Sequence, residues 1–153
     1  ITQPASGSTL AVADGKTLTA SNTLTLAGTD STTMTFPPAS ASVGYLEVPQ
    51  NSQSAAYTLV LADSGKHIFH PAADTTARIW TIPANASVAF PIGTAVTFVA
   101  EGSSGTITIA ITSDTLVLAG TGTTGSRTLA AHGVATAIKV TSTKWYISGT
   151  GLT

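Results

Sequence analysis

Three histidines (His67, His70, His132) and seven acids (Asp14, Asp30, Glu47, Asp63, Asp74, Glu101, Asp114) are the side chains that could move a proton or hold a metal. His67 and His70 lie three residues apart around Phe69. On a strand that spacing puts them on opposite faces, so they cannot chelate one ion within a chain. One His from each of several subunits could meet on a symmetry axis and bind a transition metal. The ordinary reading is a solvent-facing or hydrogen-bonded His. Most of the acids sit beside Gly, Ser or Thr, where short polar side chains shape turns. Glycoside hydrolysis needs two carboxylates facing one cleft, one with a raised pKa, and no spacing here brings two together. Ser, His and Asp are all present, but the sequence has no Gly-x-Ser-x-Gly, P-loop, dinucleotide fingerprint or zinc-protease motif. With no Cys there is no thiol chemistry either. The expectation is a protein with no catalytic residues, no cofactor and no metal.

The large polar-tipped aromatics are Trp80, Trp145, Tyr45, Tyr57 and Tyr146. Exposed, they could stack on sugars. Trp80 shares strand parity with Ile82, however, and Trp145 with Ile147, which directs both tryptophans to a core. Tyr146 has the other parity and faces outward or into a subunit interface. Thr-x-Thr occurs at 17–19, 23–25, 33–35, 106–108 and 121–123. A flat, regular array of this motif could order ice-like water, but the spacings are irregular, and threonines in strands need no special role.

The elements that must position these residues are all strands. Period-two alternation predicts strands at Tyr45–Val48, Tyr57–Leu61, Lys66–His70, Ala77–Ile82, Ala95–Val99 and Thr106–Ile111. It predicts four more at Thr115–Leu118, Ser126–Leu129, Val134–Val140 and Lys144–Ser148. Turns are expected between them, among them Ala62–Gly65, Gly102–Gly105, Gly120–Gly122, His132-Gly133 and Ser142-Thr143. Ser87–Phe90 is the one candidate for a turn of helix. Turns every eight to twelve residues indicate an antiparallel β-sandwich or a barrel-like domain over residues 43–153.

Residues 1–42 have a different texture. After a lead-in, short alternations carry Leu10, Val12, Leu18, Leu24, Leu26, Met34 and Phe36, and Pro37-Pro38 opens a linker. Runs this short cannot bury their apolar side within one chain. Copies of the same segment are the simplest cover, so these seven residues are the expected oligomer interface of an intertwined, trimeric β stem. Charged residues are only 8% of the chain, against roughly 25% in an average soluble protein, which fits surface hidden in an assembly. The six basic residues (Lys16, Lys66, Arg78, Arg127, Lys139, Lys144) are scattered, so no nucleic-acid partner is expected. No apolar run approaches the roughly 20 residues of a transmembrane helix, so no membrane insertion is expected.

Tyr57–Lys66 (YTLVLADSGK), Trp80–Asn85 (WTIPAN), Ser87–Gly93 (SVAFPIG), Gly105–Ile109 (GTITI) and Thr143–Gly149 (TKWYISG) occur in that order. Together they resemble a domain found at the C-terminal end of bacteriophage tail-fibre and related virion proteins. The resemblance covers nearly two thirds of the chain. It implies a non-enzymatic virion structural protein, a homotrimer on the particle surface that contacts other tail or capsid proteins. It brings no catalytic or ligand residues with it. His67 and His70 depart from the plainer strand residues usual there. Three readings remain open: a tail fibre or spike for host attachment, a capsid decoration or head-fibre protein that fastens the shell, and a module binding host-surface glycan. Attachment through the N-terminus, with the β domain outward, is the expected polarity.

Overall fold

The computed structural model describes residues 13–23 and 47–153. The chain divides into two compact units, residues 1–41 and 42–153. In the first, Asp14 and Gly15 form a turn closed by Lys16 N–H donating to Ala13 O at 3.1 Å. Gly15 takes a φ of 71°, and no strand forms over 13–23.

The second unit is all-β and barrel-like. Its strands are β1 (Gln50–Ser52), β2 (Tyr57–Thr58), β3 (His67–His70), β4 (Arg78–Ile82), β5 (Ala95–Ala100), β6 (Ile107–Ile111), β7 (Thr115–Leu118), β8 (Arg127–Thr141) and β9 (Lys144–Leu152). They form one curled sheet in the order β1-β3-β5-β8-β6-β4-β2, with β9 on β8 and β7 on β9.

The pairing is mixed, not antiparallel as the hairpin-like spacing suggests. β1-β3-β5 and β2-β4-β6 are two arms of parallel strands. Successive strands fall on alternate arms. Parallel neighbours need a crossover of a dozen or more residues, and here the strand on the opposite arm is part of that crossover. Each pair of strands therefore adds a layer, as in a short solenoid. β8 closes the last layer by running antiparallel to both arms, pairing with β5 through Val134–Ile138 and with β6 through Arg127–Leu129.

The core lies between the arms. Ile68, Phe98 and Ala135 are lateral neighbours across β3, β5 and β8, and Trp80 sits beside Ile109 on the other arm. Trp80 reaches across to Phe98, with ring centroids 6.2 Å apart. At the closed end, Leu116 of β7 and Trp145 of β9 are paired, and Phe90 meets Trp145 edge to face at 5.6 Å. Trp80 and Trp145 are buried, as their parity predicts, and Phe90 is buried with them.

Four local expectations change. The first described strand is β1, and Glu47 and Val48 lie outside it. The Tyr57–Leu61 strand stops at Thr58, and Leu61–Asp63 is a 3-10 turn held by Asp63 accepting from Val60 N–H at 2.9 Å. Ser87–Phe90 is not helical. It is a turn in which Ala84 O accepts from the N–H of both Ser87 and Val88. Finally, His132-Gly133 does not separate two strands. It forms a bulge inside β8, with His132 at φ 63°, where the strand bends from one arm to the other. A Cβ at Gly133 would run into Leu129 and the Ala130 carbonyl, so only glycine fits the bend.

Candidate functional site

Leu18 is 61% exposed in the single chain. The other six expected interface residues, Leu10, Val12, Leu24, Leu26, Met34 and Phe36, lie outside the described residues.

His67 and His70 do face opposite sides of β3, and His70 is not at the surface. It is fully buried, with Nδ1 3.1 Å from Gly105 O, Nε2 2.9 Å from Asp74 Oδ2 and its ring edge-on to Trp80. Arg78 grips the same carboxylate through Nε at 2.7 Å and Nη2 at 3.1 Å. The Arg78 guanidinium first, and His70 second, hold the Asp74 carboxyl well below the usual carboxylate range. A carboxyl depressed in the folded state contributes stability above its unfolded pKa, about 3.9, and that contribution fades as pH falls below it. Melting temperature should therefore drop below about pH 4, and Arg78→Gln should flatten that drop. An equally steep acid limb in Arg78→Gln would remove Asp74 as its source.

Asp63 also changes role. It is 1% exposed rather than a solvated turn residue. It accepts from Asn51 Nδ2 at 2.9 Å, Tyr57 Oη at 2.8 Å and Val60 N–H at 2.9 Å. This cluster joins β1 to β2, the two ends of the curled sheet. Burial, then the Asp63 bond, push the Tyr57 hydroxyl pKa up. Two other acids are tied to backbone: Glu101 accepts from Ala72 N–H at 2.7 Å and Asp114 from Asn85 N–H at 3.0 Å. Among the described residues no group of three or more His, Asp or Glu is placed to hold a metal ion. Asp114 also lines an open groove of about 340 Å³ together with Thr112, Thr115, Thr124 and Ser126.

Lys139 escaped the sequence reading. It is 1% exposed. Its ammonium donates to Asn85 Oδ1 at 2.6 Å and Phe90 O at 2.9 Å, and lies 5.7 Å from the Trp145 ring centroid. The available signal was parity, since Lys139 alternates in phase with Ala135 and Ala137. That signal pointed the wrong way, because the branched aliphatics of the same strand, Val134, Ile138 and Val140, hold the opposite phase.

The structure resolves the conflict against hydropathy. β8 turns Ala135, Ala137 and Lys139 inward and leaves Val134, Ile138 and Val140 40–45% exposed. Ile138 pairs with Tyr146 of β9, itself 43% exposed. On the other side lies β5, where Thr97 and Thr136 hydroxyls bond at 2.9 Å. Among the described residues, the strand positions of this outer face carry branched aliphatics, a tyrosine and threonines. The threonine pairs do not form one flat array: 17–19 is outside any strand, and Thr121 and Thr123 bond to each other within a turn.

Comparison with known proteins finds no family model that matches the chain and no curated protein that matches it.

Proposed function

We propose that the chain is a non-enzymatic structural protein of a bacteriophage virion, a homotrimeric fibre or spike component that displays its β domain at the particle surface for attachment or assembly. The observation that carries this reading is the inverted polarity of β8. A strand that buries alanines and a lysine while presenting Val134, Ile138 and Val140 to solvent leaves its more apolar side uncovered. Such faces mark interaction surfaces. Its described strand positions Val134, Thr136, Ile138, Val140 and Tyr146 carry no carboxylate, which suits packing against another copy without unpaired buried charge. Leu18, exposed in the single chain, adds a further uncovered aliphatic. The ordered motifs from Tyr57 to Gly149 supply the virion part of the reading, and the groove beside Asp114 offers hydroxyls and a carboxylate of the kind that bind sugars. Trimeric display would let three weak sites act together.

Sedimentation equilibrium at micromolar concentration should return three times the chain mass. Ile138→Asp should weaken the assembly, whereas Ile79→Asp, at a more exposed position on the outer side of the opposite arm, should not. A folded monomer would refute the trimer. Antibodies to the β domain should decorate intact particles, and particles lacking the chain would refute the virion assignment independently.

A further inference from the structure

We propose that Lys139 and Asn85 are a cross-linking pair that forms an intramolecular amide between Nζ and the Asn85 Cγ with loss of ammonia. This inference does not depend on the virion reading.

The pair is unusual as a resting arrangement. An ammonium removed from water is costly unless a counter-charge meets it. Among the described residues no carboxylate pairs with Lys139. Its partners are one side-chain amide, one backbone carbonyl and the face of Trp145. Phe90 and Trp145 wall off the site and are themselves buried. An amide bond would remove the buried charge and keep the same neighbours.

The geometry is close to reactive. Nζ is 2.6 Å from Asn85 Oδ1. With a C=O bond of about 1.23 Å, Nζ lies no further than about 3.8 Å from Cγ, near the roughly 3–3.5 Å of a near-attack arrangement. Packing holds both partners. Lys139 is fixed in β8, opposite Trp145, with its backbone N–H donating to Thr94 O at 2.9 Å. The backbone N–H of Asn85 is held by Asp114 Oδ2 at 3.0 Å. Proximity of this kind replaces the entropy that makes aminolysis of an amide slow in solution.

The balance is simple. Lys139 releases one proton to solvent and reacts as the neutral amine, whose lone pair attacks Cγ. The Nζ–Cγ bond forms, giving a tetrahedral centre. That centre collapses, the Cγ–Nδ2 bond breaks, and the leaving nitrogen takes one further proton from Nζ and departs as ammonia. Nothing is oxidised or reduced. The product would bridge residues 54 apart in sequence, tying β8 to the segment after β4.

Intact-mass spectrometry of the purified full chain tests this. The expected mass is below the sequence mass by one ammonia, and a proteolytic digest should contain one branched peptide joining Lys139 to Asn85. Lys139→Arg and Asn85→Ala should return the full mass. The proposal is overturned by an unmodified mass after prolonged incubation. It is equally overturned by a deficit that persists in Lys139→Arg and yields to hydroxylamine, which marks an asparagine succinimide.

Discussion

Trp145→Ala should destabilise the β domain by roughly 3–5 kcal/mol, the range for truncating a buried large aromatic. Trp145 is completely buried and stands where four segments converge. Its strand neighbours are Leu116 on β7 and Lys139 on β8. Phe90 approaches edge-on at 5.6 Å, and the Lys139 ammonium lies 5.7 Å from the ring centroid. The indole Nε1–H has no hydrogen-bond partner among the described residues, so truncation removes packing and no polar bond. The segment around Phe90 is irregular and β7 is four residues long, so neither can close the space that alanine would leave. Urea unfolding should show a lower midpoint with little change in slope. A loss below about 1 kcal/mol would mean that the closed end of the sheet is not held by this cluster.

How much of this was legible in the sequence depends on what alternation encodes. Period two states which residues share a face, and it placed Trp80, Ile82, Trp145 and Ile147 inward and Tyr146 outward. It says nothing about the neighbouring strand. Parallel arms built from alternate strands were therefore invisible, and of the hairpins that regularly spaced turns suggested, the described residues form one, β8 to β9 through Ser142-Thr143. Gly133 after His132 looks the same in sequence whether it ends a strand or kinks one. Only the pairing of β8 with both arms distinguishes the two. The polar groups failed for a different reason. Asp63, His70 and Lys139 are each buried by partners distant in sequence, Asn51, Gly105 and Asn85 among them. Composition assigns such residues to the surface because an isolated charge belongs there. β8 shows the sharpest failure, since hydropathy alone would have turned it over. That reversal is also the best structural support for another chain covering the outer face.

Asp63→Ala should open the other end of the domain, at a cost of about 3 kcal/mol. The carboxylate is the single acceptor shared by Asn51, Tyr57 and Val60 N–H. Alanine leaves these donors without it, and an abandoned buried donor costs its full desolvation, typically about 1–3 kcal/mol. Asn51 keeps its bond to Tyr57 Oη at 3.1 Å, so the three losses will not simply add. β1 and β2 are three and two residues long and each lies at an end of the sheet. They have little else to hold them, so the damage should concentrate there and appear as lost amide protection from Gln50 to Thr58. Asp63→Asn should cost less, because its amide oxygen can still accept. The pH dependence carries the sign. Tyr57 is pushed up in the folded state, by burial and then by Asp63. A group raised on folding stabilises below its unfolded pKa, about 10 for tyrosine, and that contribution is lost as pH rises through the folded value. Since part of the push comes from Asp63, the stability gap between wild type and Asp63→Ala should be widest near neutrality and narrow above about pH 10. A gap that stayed constant across that range would show that the Tyr57–Asp63 bond contributes nothing to holding the two ends of the sheet together.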